Sequence, residues 1–359
     1  MRFPEFKEEW KESRLGDVVY FSKERIFSSE LNNDNYISTE NMLQDFNGIT
    51  VSKNIPLNVS VFAYAKGDTL LSNIRPYLKK VWKADRNGGC SSDVFVIKAN
   101  TIICNKDFAY YLIANECFIS YVMCGTKGVK MPRGDKEQMK LYKISYPTIK
   151  EQQKIANLFN LLDERIETQS KIIEDLKTLI NGVRNKLCQK SLPNTTLGDI
   201  AEIYQPQTIS SSELNEDGEY FVYGANGIIG KYNNYNHTTE QICIACRGTC
   251  GIVNYTQKYS WINGNAMVIN VDKFLHKVNK KYLYYLLSSM DFSSLISGST
   301  QPQIVRSPIV KMKIYLPSLE KQEEISSVLD TFYKKKEIEK SILQNLKQQK
   351  KYLLQQMFI

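Results

Sequence analysis

Three cysteines have a spacing that could bind a metal. Cys243, Cys246 and Cys250 follow one another closely, and His237 is the nearest histidine. A structural zinc ion takes four such ligands. However, the segment QICIACRGTCGIV is apolar on both sides of a glycine, which is typical of a buried strand, a turn and a second strand. Cysteine then serves as a small apolar filler, and we predict free thiols and no metal site.

A glycine-rich segment, GANGIIGKY (224–232), is the next candidate for chemistry. A phosphate-binding loop has four residues between its glycines and a Ser or Thr after its Lys. Here five residues separate Gly224 from Gly230, and Tyr232 follows Lys231, so we interpret the segment as a hairpin turn. We find no dinucleotide-binding glycine motif after a predicted strand, no carboxylate cluster outside the predicted helices, and only two histidines. We therefore predict that the chain is not an enzyme by itself.

The predicted loops are rich in side chains that suit a nucleic-acid surface. Arginine reads guanine edges, Asn and Gln read adenine edges, and Lys, Ser and Tyr hold phosphates. The candidate DNA-binding residues of the first half are Tyr36, Ser38, Thr39, Asn41, Ser72, Asn73, Arg75, Tyr77, Lys79, Lys127, Lys130 and Arg133. Those of the second half are Tyr223, Asn226, Lys231, Tyr232, Arg247, Gln301 and Gln303. Each also has a structural alternative: Asn226 could be a left-handed turn residue, for example, and Tyr223 could be half-buried packing.

The elements that must position these loops occur twice in the chain. LGD at 15–17 recurs at 197–199, and YPTIKEQQKI (146–155) recurs as LPSLEKQEEI (316–325). In the second pair the Pro, the first Gln and the last Ile match with a constant offset of 170 positions. Between these landmarks the two halves barely resemble each other. A common framework with divergent inserts indicates that the two halves of the chain perform the same task on different targets.

A long helix is predicted after each Pro–Gln landmark, because apolar residues there follow the alternating spacing of four and three that is typical of a heptad seam. Each helix needs a partner for its apolar face, so we predict that the two pair antiparallel. Gln169 and Glu339 would then meet at the centre and fix the register. The predicted helix-pairing and partner-docking residues are Leu162, Ile166, Gln169, Ile173, Leu176, Ile180, Val183, Phe332, Glu339, Leu343, Leu346 and Leu353.

The predicted fold class is α+β, with two pseudo-symmetric globular domains separated by two long antiparallel helices that form a coiled coil. Each globular domain combines several strands with one dominant helix, predicted over 105–123 in the first and 279–296 in the second. The predicted segments are a leader and first domain (1–146), a helix (147–190), a second domain (191–316) and a second helix (317–359).

Composition fits a cytosolic protein with an anionic partner. Lys and Arg number 47 against 38 Asp and Glu, a formal net charge of +9, which is compatible with nucleic acid. The charged N-terminus lacks the apolar region of a signal peptide, and no apolar run is long enough to span a membrane. We expect a cytoplasmic protein with no membrane partner.

The sequence resembles the specificity subunit of Type I restriction–modification systems. The resemblance covers essentially the whole chain and is strongest at five segments. These are GDTLLSNIRPYLKKV (67–81), CSSDVFVIKA (90–99), YGANGIIGKY (223–232), CRGTCGIV (246–253) and STQPQI (299–304) with the following LPSLEKQEEI. The first half departs at GVKMPRGD (128–135), so the role of Gln301 and Gln303 is not transferred to Met131 or Arg133.

The resemblance implies two target-recognition domains, each reading one half of a bipartite, asymmetric site in double-stranded DNA. It implies that the paired helices set the spacer and dock two modification subunits, which use S-adenosylmethionine to methylate adenine. Two restriction subunits would add ATP- and Mg-dependent translocation and cleavage. This subunit itself would hold none of these cofactors.

Two other interpretations remain open at this stage. The chain could be the recognition part of a self-contained methyltransferase or nuclease, although we find no further domain with cofactor motifs. It could also be a coiled-coil scaffold without a nucleic-acid role, which would leave its basic inserts, rich in Tyr and Asn, unexplained.

Overall fold

The computed structural model describes residues 2–126, 131–188, 192–298 and 300–358. It separates into two compact units: unit 1 contains Met1–Ser170 with Ile342–Ile359, and unit 2 contains Lys171–Ser341. Each unit therefore takes one end of each long helix.

Among its described residues, unit 1 contains ten short strands and four short helices, and the first long helix begins there. The strands are β1 (Lys11–Arg14), β2 (Val19–Phe21), β3 (Arg25–Phe27), β4 (Tyr36–Ile37), β5 (Ser60–Tyr64), β6 (Thr69–Ser72), β7 (Val81–Lys83), β8 (Gly88–Cys90), β9 (Val94–Ala99) and β10 (Lys143–Tyr146). The helices are α1 (Leu15–Val18), α2 (Lys106–Ile113), α3 (Glu116–Cys124), α4 (Lys136–Lys140) and α5 (Ile149–Cys188).

Unit 2 follows the same order with different inserts. Its strands are β11 (Thr195–Thr196), β12 (Glu202–Tyr204), β13 (Tyr220–Gly224), β14 (Gly227–Tyr232), β15 (Ile242–Ala245), β16 (Val253–Tyr255), β17 (Trp261–Ile262), β18 (Ala266–Asn270), β19 (Ile296–Ser297), β20 (Gln303–Ile304) and β21 (Lys313–Ile314). Its helices are α6 (Lys280–Ser288), α7 (Arg306–Val310) and α8 (Leu319–Met357).

One four-stranded antiparallel sheet is common to both units. In unit 1 its order is β2-β9-β6-β7, and in unit 2 it is β12-β18-β15-β16. The two orders are the same when the strands are matched along the chain. The second sheets differ: unit 1 has β3-β5-β8-β4, and unit 2 has the three-stranded β14-β13-β17. The repeat seen in the sequence is thus a common sheet carrying different inserts.

The predicted strand–turn–strand at the cysteines is confirmed, since β15 and β16 pair on either side of the turn. The prediction of one helix over 105–123 is wrong, because the chain breaks at Asn115. Its side-chain Oδ1 accepts a hydrogen bond from the Phe118 amide at 2.9 Å and so starts α3 as a new helix. The prediction over 279–296 is too long, because α6 ends at Ser288.

The LGD landmark marks a place where the backbone approaches another helix. A Cβ on Gly16 would lie 2.8 Å from the Cβ of Lys140 on α4, and one on Gly198 would lie 2.6 Å from Cγ1 of Val310 on α7. Glycine is needed at both positions because there is no room for a side chain.

A buried glutamine joins each long helix to the domain before it. In unit 1, Gln152 is fully buried; its Oε1 accepts from the Asn105 amide at 2.8 Å, and its Nε2 donates to the carbonyls of Ile103 and Pro147 at 3.0 and 2.8 Å. Asn105 is the N-cap of α2. The first turn of α5 is therefore bonded to the start of α2.

The same device occurs in unit 2. Gln322 is fully buried and bonds the Asn279 amide, the N-cap of α6, at 2.8 Å. Its Nε2 donates to the carbonyls of Lys277 and Pro317 at 3.0 and 2.8 Å. The repeated Pro–Gln landmark of the sequence encodes this joint.

The long helices pair antiparallel within unit 1. The Phe159 ring of α5 lies 5.9 Å from that of Phe358, and farther along α5 Asp163 forms an ion pair with Lys350. Between these two contacts the residue number rises along α5 and falls along its partner, so the two segments run antiparallel. Ile155 and Leu354 belong to the same apolar core.

Unit 2 contains the other ends of both helices. Val183 and Leu187 of α5 pack into the same core as Ile325 and Leu329 of α8. The residues of the predicted heptad seam are all buried or half-buried. The predicted meeting of Gln169 with Glu339 stays a prediction.

Replacing Gln152 by Leu should destabilise unit 1. The change leaves three buried backbone groups without a partner, at about 1 kcal/mol or more each, so we expect the free energy of unfolding to fall by about 3 kcal/mol. Trp10 and Trp82 both lie in unit 1, so urea denaturation followed by fluorescence in a Trp261→Phe background reports on this unit.

The matched control is Gln348→Leu, which makes the same chemical change at an exposed position of α8. Its urea midpoint should equal that of the parent. Equal midpoints for Gln152→Leu and the parent would contradict the proposed role of the buried joint.

Candidate nucleic-acid interface

Three loops converge at one end of the common sheet in unit 2. The turn between β13 and β14 presents Asn226, whose Oδ1 accepts a hydrogen bond from the Thr249 hydroxyl in the turn after β15. That second turn also pairs with a third loop, because the backbones of Arg247 and Gln303 form an antiparallel bridge. The Cys250 thiol bonds the Pro302 carbonyl at 3.2 Å. The sequence predictions from three separate segments are therefore brought together.

The side chains at this point lie at the surface. Asn226, Arg247, Gln301 and Gln303 are all exposed. A guanidinium group and amide groups placed side by side form a set suited to base edges in a major groove. Thr249, which sequence reasoning missed, holds Asn226; its position between glycines in RGTCG was the available signal.

The other candidates of unit 2 have structural partners. Tyr223 is buried, and its hydroxyl accepts from the Gln257 amide at 3.1 Å. Tyr232 is half-buried and meets the Trp261 ring edge-on at 5.3 Å. Lys231 is half-buried with its ammonium group 5.9 Å from the centre of the Phe221 ring. The structure thus places Tyr223 in the interior rather than at the surface.

Unit 1 presents the equivalent loops at the equivalent end of its sheet. The backbone after β6 forms an antiparallel bridge between Ile74 and Arg133, and the Arg75 amide donates to the Pro132 carbonyl at 2.8 Å. Arg75, Tyr77 and Arg133 are exposed. Arg133 therefore occupies the place that Gln303 has in unit 2, which the sequence comparison alone did not establish.

The Arg75 loop has an unusual backbone. Arg75 and Lys79 have φ of 52° and 53°, and Asp45 and Phe46, which donate their amides to the Leu78 and Lys79 carbonyls, have φ of 54° and 59°. Residues other than glycine are rarely left-handed, at a cost on the order of 1–3 kcal/mol each when strained. The hydrogen bonds between the two loops hold this shape and keep Arg75 and Tyr77 at the surface.

Several candidates of unit 1 are committed to the fold. Asn41 is buried, and its amide group bonds the Ser38 amide and the carbonyls of Tyr36 and Thr50. Ser72 is buried and donates to the Ile74 carbonyl at 3.0 Å. Tyr36 is buried, whereas Ser38, Thr39 and Asn73 are half-buried.

Three lysine candidates of unit 1 remain. Lys79 forms an ion pair with Glu116 at 2.9 Å, which raises the pKa of the lysine and reduces its availability to DNA. Lys127 and Lys130 lie outside the described residues.

The cysteine pattern has no metal-site geometry in the part of the chain that the structure describes. There, no group of three or more His, Cys, Asp or Glu side chains is close enough to hold an ion. Cys243 is fully buried in β15, and burial raises its pKa to about 12. Among the helices of the described residues, none combines the length and apolar character needed to cross a bilayer.

His237 is instead part of a buried hydrogen-bond network in unit 2. Asn236 Oδ1 accepts from the Ile262 amide at 2.8 Å and lies 2.6 Å from His237 Nδ1. Because this oxygen is an acceptor, Nδ1 carries the proton, and Nε2 accepts from the Tyr204 hydroxyl at 2.8 Å. Burial lowers the pKa of His237 below its ordinary value of 6.5.

Comparison with known protein families supports this arrangement of two similar units. The family model described as "Type I restriction modification DNA specificity domain" matches the chain twice, over residues 7–178 and 193–348. The chain belongs to this family. The two-copy, α+β organisation predicted from the sequence is confirmed, and so is the resemblance to specificity subunits.

Named relatives in this family are distant in sequence. The MjaVIII specificity subunit of Methanocaldococcus jannaschii is 25% identical over 97% of this chain and 91% of its own length. The EcoprrI specificity subunit of Escherichia coli is 29% identical over 38% of this chain. That second match spans only about a third (35%) of the Escherichia coli protein.

Two solved structures share the fold along the whole chain. The Type I S subunit from M. genitalium superposes with a TM-score of 0.68 at 17% identity, covering 100% of this chain and 99% of that one. A second chain, from a study of complex assembly in a Type I system, gives 0.62 at 20% identity and covers 97% of each.

Acid should destabilise unit 2 through His237. The folded pKa is lowered, so below about pH 6.5 the unfolded chain takes up a proton that the folded chain does not. The free energy of unfolding should therefore fall as the pH drops from 7 to 5, by at most about 1.4 kcal/mol per pH unit from this group. Urea denaturation at several pH values measures the slope.

The exposed His276 provides the control. His276→Gln should keep the full pH dependence, whereas His237→Gln should reduce it. Identical slopes for the two variants would show that His237 does not titrate differently in the folded and unfolded states.

Proposed function

We propose that this chain is the sequence-specific DNA-recognition subunit of a Type I restriction–modification complex, with each unit reading one half of a bipartite, asymmetric site. The main support is the pair of equivalent loop clusters. Arg133 in unit 1 and Gln303 in unit 2 occupy matching places, because each bridges the loop that follows the matching strand of the common sheet. Arg75 and Arg247 lie in those two loops, so the two clusters offer different base-reading groups. Two readers of the same build with different side chains suit two different half-sites.

The remaining parts of the complex belong to this proposal. The long helices would dock two modification subunits, which bind S-adenosylmethionine and methylate adenine N6. Two restriction subunits would add ATP- and Mg-dependent translocation and cleavage. This subunit would hold no cofactor, would act in the cytoplasm and would catalyse no step alone.

The paired helices would also set the distance between the half-sites. Helix α5 has 40 residues and α8 has 39, which corresponds to about 60 Å at ~1.5 Å per residue. Rigidly linked readers gain affinity through effective concentration, so neither half-site has to be bound tightly alone.

Deleting the gene in its host should remove one asymmetric, split N6-methyladenine motif from the genome, as read by single-molecule sequencing. Complementation with Arg247→Ala should restore a motif that is relaxed in one half only, because a lost bidentate contact costs about 1–3 kcal/mol at one base pair.

Arg75→Ala is the matched control, since it removes the same side chain from the equivalent loop. It should relax the other half of the motif. If the wild-type gene restored no motif, or if either variant altered both halves, the proposal that each unit reads one half-site would be wrong.

Inserting seven residues into the middle of both α5 and α8 should lengthen the spacer and leave the half-site sequences unchanged. One heptad adds about 10 Å, or about three base pairs at ~3.4 Å each. The methylome of the complemented strain gives the spacer directly. A changed half-site with the original spacer would exclude the ruler role.

A further inference from the structure

Two cations, Lys136 and Arg25, lie over phenylalanine rings in unit 1. The Lys136 ammonium lies 4.6 Å from the centre of the Phe95 ring and 5.8 Å from those of Phe21 and Phe62. The Arg25 guanidinium lies 4.6 Å from the same Phe62 ring. Lys23, which is exposed and lies two positions before Arg25 in the chain, adds a third positive charge that acts on Lys136.

The neighbouring carboxylates are already engaged. Glu24, between Lys23 and Arg25 in the chain, forms an ion pair with Lys98 at 2.6 Å. Glu137 forms one with Lys140 at 2.8 Å. Over the described residues, neither Lys23, Arg25 nor Lys136 forms an ion pair with a carboxylate within 4 Å.

This arrangement leaves positive charge without compensation. Burial lowers the pKa of Lys136, and the nearby Lys23 and Lys140 lower it further. Aromatic faces attract cations only modestly, by about 0.5–1 kcal/mol at exposed sites, and do not remove the repulsion between them. An anion placed between the three groups would relieve that repulsion.

The cluster continues the candidate interface along the chain. Lys136 is the first residue of α4, three positions after the exposed Arg133. In unit 2 the matching first residue of α7 is Arg306, whose Nε donates to the Ile203 carbonyl at 2.5 Å. In unit 1 the Arg25 guanidinium also donates to a backbone carbonyl, that of Ser60 at 3.0 Å, and in addition it shares the Phe62 ring with Lys136.

We propose that Lys23, Arg25 and Lys136 form a phosphodiester-binding site, which holds the backbone of the DNA duplex beside the half-site read by unit 1. The proposal rests on the proposed DNA-recognition function. Backbone contacts of this kind fix the register of a protein on the duplex without reading its sequence. The Phe21, Phe62 and Phe95 rings position the cations and reduce their hydration.

The test is the salt dependence of binding by the full-length chain. The probe is a fluorescein-labelled duplex of about 40 base pairs that contains the motif found by methylome sequencing. Each phosphate contact contributes about 0.9 to the slope of log K against log salt. Lys136→Gln should lower the slope by about 1, and Lys23→Gln with Arg25→Gln should lower it by about 2, with the preferred sequence unchanged.

Lys177→Gln is the matched control, because it removes the same charge from an exposed lysine that is paired with Glu174 at 2.8 Å and lies outside unit 1. Its slope should equal that of the wild type. If Lys136→Gln does not fold, the Lys23→Gln, Arg25→Gln protein still tests the proposal, because both of these side chains are exposed.

The possible failures are distinguishable. A wild-type slope in the Lys136→Gln protein and in the Lys23→Gln, Arg25→Gln protein, with normal binding of the motif, would overturn the phosphate site and leave the proposed function intact. A lower melting temperature of Lys136→Gln without a change in slope would show that the cluster only stabilises the fold. A wild-type chain that binds neither this duplex nor a scrambled one would instead refute the proposed function.

Discussion

The fold depends on how two buried glutamines bond the long helices to the domains. Gln152 and Gln322 each bond three backbone groups, two of which belong to the segment that starts a domain helix. A glutamine side chain offers one acceptor and two donor hydrogens in a fixed plane, so it sets both the distance and the angle at which a helix leaves its domain. Apolar packing alone is not directional and would allow the helix to rotate.

This constraint separates what must stay constant from what can vary. The joint, the LGD close approach and the common sheet hold the framework in both units. The second sheets and the loops at the end of the common sheet are not part of that framework. Arg133 and Gln303 illustrate the result, because one backbone bridge presents a cation in one unit and an amide in the other. Different recognition chemistry can thus be built without changing the support beneath it.

The sequence was sufficient for features that repeat or alternate. The heptad spacing, the two landmarks and the strand–turn–strand at the cysteines each have a local pattern, and the structure has them where expected. It was insufficient where one side chain decides between alternatives. Asn115 looks like an ordinary helical residue but caps a new helix, and Tyr223 looks like a surface tyrosine but bonds an amide 34 positions away.

The grouping of residues in the candidate interface also could not be predicted from the sequence. Arg247 and Gln303 were predicted separately, but their juxtaposition depends on a bridge between distant loops. The cations near the phenylalanine rings were missed altogether, because Lys136 is far in sequence from Lys23 and Arg25, and all three look like ordinary surface charges. Only the rings between them, which come from three different strands or their ends, bring them together.

The composition of unit 1 has a consequence for the order in which the protein can form. Its core includes Leu354, Met357 and Phe358, which pack with Phe108 and Phe159. All three follow the whole of unit 2 in the chain, whereas unit 2 is continuous. Unit 1 therefore cannot complete its core until synthesis has passed through unit 2, and until then part of its apolar surface stays uncovered. The unit that begins first in the chain depends on residues that are made after the other unit.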